Sequence, residues 1–267
     1  MIGKTNVKSN VEPFDPASVV TSWGGGAEEE ITKMLDAHYK GLINVADYWA
    51  IGDSRTERIA AIPNGTTTDN QPAQNVNLVI IGMNHDDKAD GSGKAAITVQ
   101  TKDQLSAYGY INISYGSVDY SLWSTSIRRT WCNNNFKSAL STWLQNLIKP
   151  VTKVTNRHGY SGTFGDYGSY RGQISTTDDV FLLSEFESLG KALLGGTEWG
   201  DVGSDGTQYE YMKTQANRIK SGPTDYWWLR SAIVENDRSY FVAIKSDGNA
   251  FRDFADSRYG VAPAFCL

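Results

Sequence analysis

Trp227-Trp228-Leu229-Arg230-Ser231, Ser246-Asp247-Gly248 and Gly260-Val261-Ala262-Pro263-Ala264-Phe265 decide how this chain is read. Short apolar and aromatic runs that stop at Gly, Asp or Pro are strand phrases. Between the first and the last of them, residues 235–259 are crowded with Asn, Asp, Arg, Tyr and Phe, side chains typical of binding surfaces. A frame encloses a recognition sequence.

The frame predicts three strands, over 227–232, 240–245 and 261–266, with a short polar link after the first and a Ser-Asp-Gly turn after the second. Glu235, Asn236, Asp237, Arg238 and Tyr240 fill the link, and Asn249, Phe251, Arg252, Asp253, Phe254, Asp256 and Arg258 fill the expected loop before the last strand. These twelve positions are the candidate ligand-binding residues. Two phenylalanines in a polar loop either plug the local core or meet a partner, and both readings stand at this point.

Working outward, Val180-Phe181-Leu182-Leu183 predicts a buried strand that runs into Ser184-Glu185-Phe186-Glu187, a capping box in which Ser and Glu satisfy each other's free backbone amides. Phe136, Leu140, Trp143, Leu144 and Leu147 share one helical face, ended by Pro150, and residues 126–132 predict another helical turn or two. Further strands are expected over 48–53, 78–82 and 96–99. Residues 28–39 predict an amphipathic helix, with Glu28, Glu29 and Glu30 at its positive end and Gly41 as its stop. The polar stretch before it, with Pro13, Pro16 and Gly24-Gly25-Gly26, reads as an extended arm and hinge. The expected division is therefore 1–45, arm and helix serving attachment or oligomerisation, and 46–267, the binding domain with long loop insertions.

A chain of 267 residues that is 40% hydrophobic can bury a sizeable core. Its net charge of −5 argues against nucleic acid, because that affinity comes largely from Lys and Arg displacing counterions. No apolar run reaches the roughly 18 residues that span a bilayer, and residues 1–13 lack the basic and apolar regions of a signal peptide. Neither membrane insertion nor secretion by that route is expected. Cys132 and Cys266 are too few for a disulfide scaffold; they either pair across the fold or stay as buried thiols. The eight tryptophans are scattered, as core plates would be.

Catalytic chemistry finds little support. Residues 86–91 crowd oxygen ligands around a turn, yet the calcium-loop pattern fails at Lys88 and at Ile97, where a bidentate Glu belongs. His85 reads as a turn or core group. No Gly-x-Ser-x-Gly elbow occurs, and the three glycines before the first helix follow no buried strand and precede no Lys-Ser or Lys-Thr. The acidic pairs at 178–179 and 201–205 are what 30 carboxylates give by chance. No catalytic residue, metal ligand or cofactor is assigned.

The phrases at 228–231, 246–248 and 260–265, with Val180-Phe181-Leu182-Leu183-Ser184, Arg129-Thr130-Trp131-Cys132-Asn133, Asp47-Tyr48-Trp49-Ala50-Ile51-Gly52-Asp53 and Ile80-Ile81-Gly82-Met83-Asn84-His85-Asp86, resemble an uncharacterised domain of bacteria and their phages. That domain is related to the C-type lectin-like, formylglycine-generating-type fold. The resemblance covers residues 28–267 and implies an α+β unit, a small antiparallel sheet flanked by two helices, with its ligand surface near the C-terminus. It implies a non-enzymatic receptor-binding (tropism) protein of a phage or prophage virion, in some relatives diversified by a retroelement in the last strands and loops. The implied partners are a bacterial cell-surface receptor, protein or glycan, and other virion proteins through the arm, with a homo-oligomer, a trimer, for avidity. Ala232 and Ala262 depart from the Pro and Arg of many relatives. The lectin calcium triplets and the closely spaced cysteines of the oxidising enzymes are absent, so neither activity is implied. A capsid or tail decoration protein and an enzyme acting on a surface polymer are the other two readings.

Overall fold

A computed structural model describes residues 14–15, 22–63, 70–112, 122–159, 170–192, 204–235 and 238–267. The helices are α1 (Glu28–Tyr39), α2 (Ile127–Thr130), α3 (Lys137–Ala139), α4 (Thr142–Leu147), α5 (Glu185–Leu189) and α6 (Gln215–Arg218). The strands are β1 (Ser54–Ile59), β2 (Gln74–Met83), β3 (Ile97–Thr101), β4 (Tyr108–Gly109), β5 (Val151–Gly159), β6 (Tyr170–Asp178), β7 (Val180–Phe181), β8 (Tyr226–Glu235), β9 (Arg238–Lys245), β10 (Ala250–Phe254), β11 (Tyr259–Gly260) and β12 (Ala264–Cys266). They form a five-stranded sheet β1-β2-β3-β12-β7, a second five-stranded sheet β10-β9-β8-β11-β4, and a ribbon β5-β6. Pairing is antiparallel apart from a single parallel contact, Gly260 to Trp227. The α+β mixture of helices and antiparallel sheets is as expected, but there are two larger sheets rather than one small one.

The frame phrases are where the sheets meet. The 260–265 phrase leaves the second sheet at β11 and enters the first at β12, where Phe265 lies between Val99 of β3 and Val180 of β7. The 227–231 phrase breaks register with β9 between Trp228 and Ala232, a bulge. Freed from that ladder, Arg230 donates its backbone N–H to the Leu183 carbonyl, and the Ser231 hydroxyl receives the Glu185 N–H, both at the start of α5. One continuous core results, from Trp23 to Leu267, and α1 buries Ile31, Met34 and Leu35 in it.

Three expectations need correction. Residues 48–53 are a turn, not a strand: Asn44 caps a 3-10 turn (Val45–Asp47), and Asp53 accepts the Ala50 N–H from its side chain. The strand is the following Ser54–Ile59, polar because it lies at a sheet edge and buries only alternate residues near its end. The helix over 136–147 is broken at Leu140, whose ψ of 158° is extended, and Ser141 starts α4 by accepting the Leu144 N–H. Finally, the loop before the last strand contains β10, paired with β9 over five residues.

Cys132 and Cys266 are free and buried, so they form no disulfide. Burial raises the Cys132 thiol to about 12, which leaves it unreactive at neutral pH. Among the described residues, no helix is long and apolar enough to cross a membrane.

Lys220 is buried, with the charge of Asp103 too weak to offset that burial. Its Nζ donates to the carbonyls of Thr101 (2.9 Å) and Lys102 (3.0 Å) and lies 5.2 Å from the Trp227 ring centroid. Burial lowers its pKa from 10.5 to about 7, and a neutral amine still supplies the two N–H groups these carbonyls take. Between pH 7 and 10.5 the unfolded chain therefore binds a proton that the folded chain does not. Stability should rise with pH through that window, with a slope from this residue approaching about 1.4 kcal/mol per pH unit. Denaturant melts of wild type and Lys220→Met at several alkaline pH values measure the difference. Parallel profiles would refute it.

Candidate functional site

The structure sorts the twelve predicted binding residues into several groups. Asn236 and Asp237 lie outside the described residues, as do the side chains of Glu235 and Arg238. Asn249 belongs to the turn after β9: its N–H goes to the Asp247 carboxylate, and its carbonyl takes the Lys245 N–H. Asp256 is half-buried after β10.

Phe251, Arg252, Asp253 and Phe254 form β10, so successive side chains alternate between faces. Phe251 stands opposite Ala243 and Phe254 opposite Tyr240. The two phenylalanines thus serve opposite sides of the sheet. Phe251 packs 5.1 Å from the Tyr226 ring, Tyr226 lies 4.7 Å from Tyr259, and Tyr259 lies 4.8 Å from Trp228. On the other side Phe254 stacks on Tyr240 at 4.7 Å, with the Arg252 guanidinium 5.8 Å from that ring. Every residue of β10 is half-buried, so these rings are anchored by the sheet and still reach solvent.

Asp253 organises this surface. One of its oxygens accepts the Tyr259 hydroxyl and the other the Phe254 N–H. Burial, then the Asp253 hydrogen bond, raises the Tyr259 hydroxyl well above its ordinary range, so it stays a donor. Arg258 is exposed, its guanidinium 5.1 Å from the Tyr108 ring and 5.5 Å from Tyr110. The sequence reading missed Tyr108, Tyr110, Tyr226 and Tyr259 as members of this surface. They sit on the frame strands or in segments remote in sequence, and only the period of two along β8 could have pointed to Tyr226.

A second cluster lies inside the molecule. Lys153 on β5 bonds Asp86, in the turn after β2, and also Glu187 of α5 (3.0 Å) and the Tyr209 hydroxyl (2.9 Å). Arg230 grips both Glu187 oxygens. Tyr209 donates toward Asp86 at 3.0 and 2.9 Å, and Thr98 and Cys266 also reach its Oδ2. All are buried. Burial pushes each carboxyl up, but Lys153 and then His85 hold Asp86 well below the usual range, and Arg230 with Lys153 lowers Glu187. Asp205, which accepts the Ser231 hydroxyl at 2.8 Å, is raised by burial.

Above this network is a cleft of about 360 Å³, lined in part by His85, Lys94, Gln173, Asp205 and Thr207. His85 stacks on Tyr209 at 4.1 Å and its Nε2 meets the Thr207 carbonyl at 3.1 Å, so it is a packed turn residue. Asp87 pairs with Lys94, and Asp90 accepts from Ser92, so the acidic turn is held by its own contacts. Among the described residues, no three His, Cys, Asp or Glu side chains converge as a metal site needs. Asp86 faces Lys153, and Glu187 faces both Lys153 and Arg230, so each carboxylate is balanced by a cation of the same network.

Residues 94–267 match the model of a family described as a domain of unknown function, DUF6273. No curated protein and no solved structure matches. The matched residues contain the whole aromatic surface and, apart from Asp86, the charged groups of the buried network.

Proposed function

The chain belongs to the DUF6273 family of domains of unknown function, and we propose that it is a non-enzymatic binding protein with a C-type lectin-like fold, recognising a bacterial surface ligand through β10 and its neighbours. The observation that carries this reading is two half-exposed aromatic sets anchored on opposite faces of the sheet, Tyr226, Phe251 and Tyr259 on one and Tyr240 and Phe254, with Arg252 beside Tyr240, on the other. Tyr, Phe and Arg concentrate binding energy, because rigid rings bury area at little entropic cost and guanidinium stacks on them. The resemblance to phage tropism proteins supplies the setting: a virion receptor-binding protein, attached by its arm and displayed as an oligomer.

The test is a labelled full-length protein applied to a panel of bacterial cells and a glycan array. Phe251→Ala with Tyr226→Ala, which strips the rings of one face, is expected to weaken binding at least tenfold, since central aromatic contacts cost about 2 kcal/mol or more each when truncated. Circular dichroism should stay unchanged. Undiminished binding by the folded variant would place the ligand elsewhere. A reverse transcriptase gene beside a near-copy of the C-terminal coding region would identify the diversified class.

A further inference from the structure

We propose that Lys153 and Asp86 condense into an intramolecular isopeptide bond, an amide between Nζ and Cγ, with Glu187 as the proton relay. This is independent of what the C-terminal surface binds.

The backbone sets up the pair. Residues 86–89 run antiparallel to the start of β5: Lys88 bridges Val151, the Thr152 N–H goes to the Asp87 carbonyl, and the Ala89 N–H to the Pro150 carbonyl. That register carries Asp86 directly opposite Lys153, where side chains of one face meet. Their contact is direct, and both are buried, with side-chain exposures of 2% and 5%. The Phe181 ring lies 3.8 Å from Nζ and covers one side of the amine.

The remaining groups match the needs of amide formation. Glu187 Oε1, 3.0 Å from Nζ, is the carboxylate able to take a proton from the ammonium. Tyr209 and Thr98 hydroxyls donate to the Asp86 carboxyl, which polarises Cγ and steadies the oxyanion of the tetrahedral intermediate. In the step, Nζ gives up two protons and attacks Cγ. One Asp86 oxygen leaves with those two protons as water, and Glu187, having carried them, is regenerated. No oxidant or co-reactant is needed.

Charge accounting points the same way. Arg230 already binds both Glu187 oxygens, so Glu187 keeps its cation when Lys153 is neutralised. The amide removes one buried anion and one buried cation, each costly to desolvate. Burial pulls Lys153 and Asp86 toward their neutral forms, but their attraction outweighs it before reaction. The initial proton transfer is thus the uphill step, and the bond follows folding.

Intact mass spectrometry of the denatured full-length chain decides the matter. The expected mass is that of the sequence less one water, and digestion should yield a branched peptide joining the segments that hold Asp86 and Lys153. Lys153→Met should keep its whole mass, as should Glu187→Gln that is folded by circular dichroism. Asp86→Asn should lose ammonia instead of water. A wild-type mass equal to the sequence, or a branch at other residues, overturns the proposal; water loss in folded Glu187→Gln overturns the relay.

Discussion

Arg230→Met is expected to leave the chain largely unfolded at 37 °C, the largest loss from any single substitution considered. Arg230 holds both oxygens of buried Glu187 and also donates to the carbonyls of Leu182 (2.9 Å), Val154 (3.0 Å) and Asp205 (2.9 Å) and to the Thr155 hydroxyl (3.1 Å). Methionine fills the stem's volume and satisfies none of these acceptors. Breaking a buried ion pair from one side costs about 3–5 kcal/mol. Each carbonyl left dry adds about 1–3 kcal/mol where water cannot enter. Against a total stability of about 5–15 kcal/mol, little remains. Urea denaturation monitored by tryptophan fluorescence reads the loss, and a change below about 1 kcal/mol would show the network to be dispensable. Adding Glu187→Met should restore part of the loss, because it removes the stranded anion.

The same residue explains why Trp228-Leu229-Arg230-Ser231 is a fold-deciding phrase although an arginine sits in its middle. The strand must bulge to leave Arg230 free of the β9 ladder, and the capping box at Ser184-Glu187 places the carboxylate that receives it. Each half was legible alone. The run of apolar residues marked β8, and the Ser-x-x-Glu spacing marked the start of α5. Their meeting was not legible, since Glu187 and Arg230 are 43 residues apart, and Lys153 and Asp86 are 67 apart. Sequence patterns report local periodicity and capping, whereas buried charges are paired by topology. For the same reason helix α1 was read to its observed ends, Glu28–Tyr39, while polar β1 went unread.

The recognition segment shows the limit from the other side. Its composition led to the expectation of a binding surface, but treating 249–258 as a loop left Phe251 and Phe254 as equivalents. In β10 they face opposite sides, so Phe251 belongs with Tyr226 and Tyr259, and Phe254 with Tyr240. Asp253, counted as a ligand contact, spends both oxygens on Tyr259 and Phe254. In the proposed binding function its contribution would run through the position of Tyr259.

Gly260→Ala is expected to cost about 3 kcal/mol, combining overpacking with lost hydrogen bonds. A Cβ at Gly260 would lie 1.8 Å from Gln104 Oε1 and 2.5 Å from its Cδ. A flexible side chain would swing aside cheaply, but Gln104 is held on every side. Its amide donates to the carbonyls of Lys220 (3.2 Å) and Thr224 (2.8 Å), its oxygen accepts the Thr224 hydroxyl (3.0 Å), and Gly222 packs against its stem. Moving it breaks this clamp and shifts β11, which joins β4 to β8. A double-mutant cycle tests whether Gln104 is what the new methyl meets: with Gln104→Ala in place, Gly260→Ala should cost far less, giving a coupling of about 1–3 kcal/mol. Equal costs in both backgrounds would mean that the space at Gly260 is not kept for Gln104.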